Sequence, residues 1–391
     1  MGLKAKILTL CAVVGLAAGA AAYAQPLRHA RDRDQRTLCA QDLKVPPAPY
    51  WDCSVPAARP LRLETDTVTV RLIGDVMMHM PQLRHDYAEF FSRIAAPMRA
   101  ADLAVANMEF TLAGPPYTGY PCFSAPDAYA WTACETLGLD LMLTANNHIT
   151  DKGRAGLERT LEIYDAIRDS LGVRQTGSAR SPEEEAAQMP AILTAKGLTI
   201  AFVNFTYGTN LDPTPYEWPR PGRMDREAVA AQIARAKAQK ADFIVALPHW
   251  GEEYHLRHSK EQADWAAWLA GEGVDVVVGA HPHVVQDSTH IGAVPVIYSM
   301  GNAVSNMSKE NTRLELMVTL RFTRDDWSGR KRMLEPELRF LWCTLPGKLI
   351  PGYATLFVDE WTGHRSEWRD KTDYDEMLRT LERVKAGTGI R

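Results

Sequence analysis

Five short stretches of this chain carry side chains that bind metal ions and move protons. They are Gly74-Asp75, Asn107-Met108-Glu109, Asn146-Asn147-His148, His249-Trp250-Gly251-Glu252-Glu253 and His281-Pro282-His283. Asp75 and Glu109 offer carboxylate oxygens, and a carboxylate at Glu109 could bridge two ions. Asn147 offers an amide oxygen, and His249, His281 and His283 offer imidazole nitrogens. This mixture of oxygen and nitrogen donors suits Mn, Zn or Fe, and not a Ca or Mg cage. Two such ions can activate a water and neutralise a phosphate-like transition state. His148, beside a metal-binding amide, suits a proton donor to a leaving group. Asp151, three residues on, either orients that imidazole or caps a helix starting near Gly153. In extended backbone His281 and His283 point to the same side, so the pair serves one ion or places a ring on each of two. His79 is either a supporting ligand or a loop residue.

Each stretch has an ordinary reading by itself: a Gly-Asp turn, a polar pair at a loop start, a helix cap, a hydrogen-bonded loop histidine. Independent turn residues would not be expected to give this set at successive strand ends. The runs before them are apolar: residues 67–73, 103–106, 141–143, 243–247 and 274–278. In open α/β sheets the carboxyl ends of the strands are where ligands bind. Between these runs the apolar spacing predicts helices near 87–100, 125–137, 155–171, 225–240 and 260–270, with another at 373–386. A hairpin is expected around Lys196-Gly197, and further strands at 294–299, 314–322 and 338–343. Alternating strands and helices argue for an α/β fold with a mixed sheet arrangement. The Pro-rich stretch 209–223 reads as a long loop near the site.

The 391 residues, 46% hydrophobic, suffice for a sizeable core. A net charge of −4, without a basic run interleaved with aromatics, argues against nucleic-acid binding. Lys4 and Lys6, an apolar stretch over 7–22, and Ala22-Tyr23-Ala24 read as a signal peptide over residues 1–24. Export to the periplasm or the extracellular space is expected, with an uncleaved membrane anchor as the alternative. Residues 25–65 read as an arm or linker, 66–345 as the main domain, and 346–391 as an extension packing on it. Oxidising surroundings would allow Cys39–Cys53 and Cys122–Cys134 to bridge, leaving Cys343 over.

The stretches Gly74-Asp75-Val76-Met77, Asn107-Met108-Glu109, Ala145-Asn146-Asn147-His148-Ile149-Thr150-Asp151-Lys152-Gly153, His249-Trp250-Gly251-Glu252-Glu253-Tyr254, Gly279-Ala280-His281-Pro282-His283 and Tyr298-Ser299-Met300-Gly301-Asn302 come in a telling order. Across about residues 68–305 it resembles the motif set of the CapA-type capsule-synthesis proteins. That family is tied to poly-γ-glutamate and belongs to the calcineurin-like metallophosphoesterase superfamily. The resemblance implies a four-layer sandwich of two mixed β-sheets flanked by helices, with one or two divalent transition ions. It implies that Asp75 and His283 serve one ion, and Asn147, His249 and His281 the other, with Glu109 between them. His148 would be the acid facing the substrate. His79, Asn107, Glu252 and Asn302 would support the ligands or contact substrate. Two departures stand out. The superfamily's Asp-x-His has Met77 in the His place, and its Gly-Asp is replaced by Asn107-Met108-Glu109. Both remove ligands from one metal position, which leaves room for single-ion occupancy.

Three functions compete. The first is a metal-dependent hydrolase or transferase acting on an envelope phosphoester or a polyglutamate amide. The second is a non-catalytic accessory protein that binds an anionic polymer or membrane components of capsule assembly. The third is a general periplasmic phosphodiesterase or nucleotidase. Arg84, Lys152, Arg154, Arg220, Arg223 and Arg257 lie in or beside the motif loops, either to meet an anionic polymer or as ordinary surface charge.

Overall fold

The computed structural model describes residues 67–325 and 328–391. The apolar leader, the 25–65 arm and the Cys39–Cys53 pairing lie outside the described residues. In chain order come β1 (Thr67–Val76), α1 (Tyr87–Arg99), β2 (Leu103–Met108), α2 (Asp127–Leu137), β3 (Leu141–Leu143), α3 (Gly153–Leu171) and β4 (Arg174–Thr176). Next are β5 (Ser178–Ala179), α4 (Pro182–Gln188), β6 (Ala191–Ala195), β7 (Leu198–Thr206), β8 (Arg220–Pro221) and α5 (Arg226–Ala238). They are followed by β9 (Phe243–His249), α6 (Lys260–Gly271), β10 (Val276–Val278), β11 (Ser288–Ile291) and β12 (Val294–Ile297). The chain closes with β13 (Leu314–Arg324), β14 (Lys331–Met333), β15 (Glu337–Thr344), β16 (Ala354–Phe357), α7 (Val358–Trp361) and α8 (Lys371–Thr388). Local chemistry marks the helix ends. Asp86, Asp225 and Ser259 accept backbone N–H bonds at the starts of α1, α5 and α6, while Gly138 and Gly172 end α2 and α3 in left-handed backbone.

The strands form two large mixed sheets. The first runs β16-β15-β13-β1-β2-β3-β4, with β14 on β13. Its β1 to β4 are parallel, and β13, β15 and β16 are antiparallel. The second runs β11-β12-β10-β9-β7-β6, with four parallel inner strands and antiparallel edges. Side-chain alternation sorts the layers. Val68, Val70 and Leu72 of β1 share one core with Ile200, Phe202, Val245 and Val276 of the second sheet. Ile73, Ala106 and Met142 face Phe90, Ile94 and Tyr129 of α1 and α2. Ala201, Val203 and Ala246 face Ile233, Trp265 and Leu269 of α5 and α6. The result is the four-layer α/β sandwich expected from the resemblance, with two mixed sheets flanked by helices.

Past residue 345 the chain is part of the same body. Strand β16 pairs with β15, and Met377 and Val384 of α8 join the core between the sheets. Arg313 ties α8 to β13 through paired bonds of 2.6 and 2.8 Å to Asp373. The Cys122–Cys134 bridge expected from spacing does not form. Cys122 is exposed in a loop, whereas Cys134 is turned under α2 with its Sγ 3.6 Å from Met142 Sδ, and Cys343 is also a free thiol. Among the described residues no helix is long and apolar enough to cross a membrane.

Candidate metal centre

The site forms where the carboxyl ends of the parallel strands of both sheets converge. Asp75 is re-aimed by a β-bulge, because the β1–β2 register shifts between Ile73 and Asp75, at Gly74. Only glycine fits there: a Cβ on Gly74 would lie 1.9 Å from the Gly301 carbonyl oxygen. The Asp75 N–H bonds that same oxygen at 3.0 Å, so β1 is fastened to the loop after β12. Asn107, directly opposite on β2, donates its amide to Asp75 Oδ1 at 2.7 Å. Its own Oδ1 accepts from Asn146 at 3.3 Å, so Asn107 orients the carboxylate and the neighbouring turn.

Glu109 follows β2 and sits at the middle. Its Oε1 lies 3.7 Å from His249 Nε2, 3.9 Å from His283 Nε2 and 4.0 Å from His148 Nε2. Both Glu109 oxygens are buried and have no hydrogen-bond partner, and neither has His281 Nδ1. Asn147 Oδ1 is 2.8 Å from His249 Nε2. Three groups of donors lie close enough to share an ion: Glu109, His249 and His281; Asp75, Glu109 and His283; and Glu253, His281 and His283. The donor set fits one or two divalent ions.

His281 and His283 reach the site by a route the sequence did not suggest. They are not in extended backbone. Both have positive φ, 99° and 59°, a conformation rare for such residues and found where surrounding structure enforces it. The Asp75 Oδ2 accepts the His281 N–H at 3.3 Å and helps hold that turn. His283 Nδ1 is 2.9 Å from Asn302 Oδ1, so with Nδ1–H donating there the Nε2 lone pair faces Glu109.

His148 and Asp151 form a dyad. The ring Nδ1 lies 2.7 Å from Asp151 Oδ2. That carboxylate also accepts the Phe123 N–H at 2.7 Å and the Asn210 amide at 3.1 Å. The helix α3 has Lys152 at its N-cap with no side-chain cap bond, so Asp151 serves the imidazole and not the helix. The edge of Phe123 packs on the ring at 4.6 Å between centroids.

Burial sets the electrostatics. It pushes Glu109 well above the usual carboxylate range, reinforced by the Asp75 charge. It pushes His249 and His281 well below the usual imidazole range, reinforced by neighbouring imidazoles, which keeps both rings neutral and able to bind metal. At His283 burial works downward too, but the Asp75 carboxylate outweighs it and the ring is raised.

Two expected residues stand apart. Glu252 is exposed, 3.7 Å from His255, and does not reach the cluster. Its neighbour Glu253 does, with Oε1 3.9 Å from His283 Nε2. His79 gives the cluster no ligand atom. Its Nδ1 takes the Asn306 N–H at 3.2 Å and faces Gln82 Oε1, also at 3.2 Å, and burial pushes the ring down to about 4. Met77 is buried in the core against α1 and α2. Of the basic residues near the loops, Arg154, Arg220, Arg223 and Arg257 are paired with Glu158, Glu185, Asp212 and Asp287.

Besides Glu253, the sequence left three residues of the site unmarked. Asn210, in the Pro-rich loop, touches both His148 and Asp151. Asn204 of β7 accepts the Thr144 and Ala145 N–H groups at 3.2 and 2.9 Å and donates to the Leu247 carbonyl, fixing the turn before Asn147. A lone Asn inside an apolar strand was its signal. Glu315 of β13 is buried and accepts the Gly74 N–H at 2.7 Å.

Comparison with known proteins gives the same address. Residues 69–307 match the family described as bacterial capsule synthesis protein PGA_cap. The capsule biosynthesis protein CapA of Bacillus anthracis is 26% identical over 287 residues, 69% of this chain and 68% of that one. The PGA biosynthesis protein CapA of Bacillus subtilis (strain 168) is 26% identical over 270 residues, 65% of this chain and 67% of that one. A solved phosphatase from Mycoplasma pneumoniae is similar with a TM-score of 0.43 at 13% identity, covering 71% of this chain and 94% of that one. A 5'-nucleotidase precursor from Thermus thermophilus follows with a TM-score of 0.42 at 16% identity, covering 82% and 59%. With more than half its length matched and the site motifs converging in space, the chain belongs to the bacterial capsule synthesis protein family PGA_cap.

Proposed function

We propose that the chain is an exported, metal-dependent hydrolase of phosphoesterase type that acts on an anionic envelope substrate during capsule biosynthesis. One observation carries the reading. A buried carboxylate with two unpartnered oxygens, ringed by imidazole nitrogens at 3.7 to 4.0 Å, is costly unless a cation fills the gap. Asp75, Glu109 and His283 would hold one divalent ion, and Glu109, Asn147, His249 and His281 another. Such ions supply Lewis-acid charge neutralisation and an activated water. The chain's own part is to place that chemistry and manage a proton. His148 turns Nε2 toward the centre and donates a proton to the leaving oxygen or nitrogen. Asp151 holds Nδ1 and stabilises the imidazolium whenever the ring is protonated. The relatives' names, capsule and PGA biosynthesis, support a capsule polymer or its precursor as the substrate. The leader-like N-terminus supports export, which cell fractionation of the tagged full chain tests.

The activity test is turnover of a generic phosphodiester by metal-stripped protein resupplied with Mn, Zn or Fe. Metal-dependent turnover that His148→Ala abolishes is the expected result. Protein that stays inert with every ion overturns the hydrolase reading and favours the accessory, polymer-binding one.

A further inference from the structure

The two donor groups around Glu109 are unequal. With Asn147 added, the His249 and His281 side has four protein donors. The Asp75 and His283 side has three, and protein sites for transition ions take three to four or more. Met77, two residues past Asp75, lies in the core and offers no strong donor there.

The loop after β9 supplies what is short. The Trp250 N–H bonds the Ala280 carbonyl at 3.1 Å, and the Tyr254 N–H bonds the Pro282 carbonyl at 2.8 Å. The loop is therefore zipped along the segment that carries His281 and His283. Gly251 and Tyr254 take left-handed backbone, with φ of 92° and 69°, and Lys309 rests 3.8 Å from the centre of the Tyr254 ring. This turn sends Glu252 outward to His255 and Glu253 inward. Glu253 Oε1 stands 3.9 Å from His283 Nε2, the same distance that separates this nitrogen from Glu109 Oε1. That is too long for a hydrogen bond. It is within the span of about 4.2 Å open to two ligands each roughly 2.1 Å from one ion. Glu253, His281 and His283 form a third group of atoms close enough to share an ion. The Glu109 oxygens and His281 Nδ1 are buried without hydrogen-bond partners.

We infer that Glu253 is a metal ligand, joining His283 at the ion position that otherwise has only three protein donors. This rests on the metal-centre reading above and names a ligand that the reading does not require. Glu253 is 42% exposed on its side chain, so it closes the centre on the solvent side. The completed position has three carboxylates and one imidazole, whereas the other has two imidazoles, one amide and the shared carboxylate. Oxygen-rich sites favour Mn over softer ions, so this position is the Mn-preferring one of the two.

The test is Mn binding to metal-stripped full-length protein by isothermal titration calorimetry. Glu253→Gln is compared with Glu252→Gln, whose side chain faces solvent. Wild type and Glu252→Gln bind two ions per chain. Glu253→Gln keeps one site at wild-type affinity, which shows that it is folded, and loses at least tenfold at the other. Two sites of unchanged affinity in Glu253→Gln overturn the inference and leave the metal centre standing. A wild-type protein that binds no Mn, Zn or Fe overturns both.

Discussion

Gly74→Ala should damage the site through the backbone alone. The new methyl would start 1.9 Å from the Gly301 oxygen, and real Cβ contacts need 3.0 Å or more. The β1 strand and the loop after β12 must therefore separate by at least about 1 Å, because both partners are backbone. The Asp75 N–H bond to Gly301, 3.0 Å in the native protein, then exceeds hydrogen-bond range. The lost bond costs about 1 kcal/mol and the overpacking about 1–3 kcal/mol. Together they lower Tm by about 2–5 °C in a chain of this size. Asp75 moves with its backbone, so metal affinity falls as well. Gly292→Ala is the control. Gly292 has φ of 62° with nothing near its hypothetical Cβ, so the variant carries only left-handed strain. That strain costs about 1 kcal/mol. It should drop Tm by only about 1 °C with metal binding intact. Differential scanning calorimetry and Mn titration of the two variants decide the matter. A Gly74→Ala protein that melts no lower than Gly292→Ala and binds Mn normally would refute the close-approach argument.

Asp151→Asn should leave metal content unchanged and lower turnover by about 10²–10⁴-fold, since the ring of His148 loses its orienting acceptor. Equal turnover would assign Asp151 a packing role only. Asn302→Ala frees His283 Nδ1 and should weaken metal binding by about 10–100-fold, read by competition with a chelating dye. Arg313→Ala leaves Asp373 buried without its bidentate partner and should cost about 3–5 kcal/mol in denaturant unfolding, with Mn affinity unchanged.

Much of the site was legible because apolar runs ended on carboxylate, amide and imidazole residues that the fold brings together. The runs before Asp75, Glu109, Asn147, His249 and His281 are strands, and the residues converge because parallel strands bring their carboxyl ends to one edge. What escaped depends on turn geometry. Choosing between Glu252 and Glu253 needs the left-handed bends at Gly251 and Tyr254, which no periodicity reports. The backbone of His281 and His283 is held by the Asp75 carboxylate and the Asn302 amide from other elements, so their local sequence suggested an extended pair. Asn210 follows β7 within the Pro-rich loop, and only the path of that loop brings it to His148. Spacing between Cys122 and Cys134 said nothing about which way α2 faces. The short strands β4 and β16 carry too few residues to show a pattern, and only their place in the sheet reveals them.

Glu109 is buried without a hydrogen-bond partner, a cost that service to divalent ions explains. Elemental analysis of protein purified from its native setting without chelators, beside Glu109→Gln purified in parallel, tests it most directly. One to two transition ions per wild-type chain, removed by chelation and absent from Glu109→Gln, is the predicted result. Wild-type protein that is metal-free and takes up none of Mn, Zn or Fe at micromolar concentrations would contradict it.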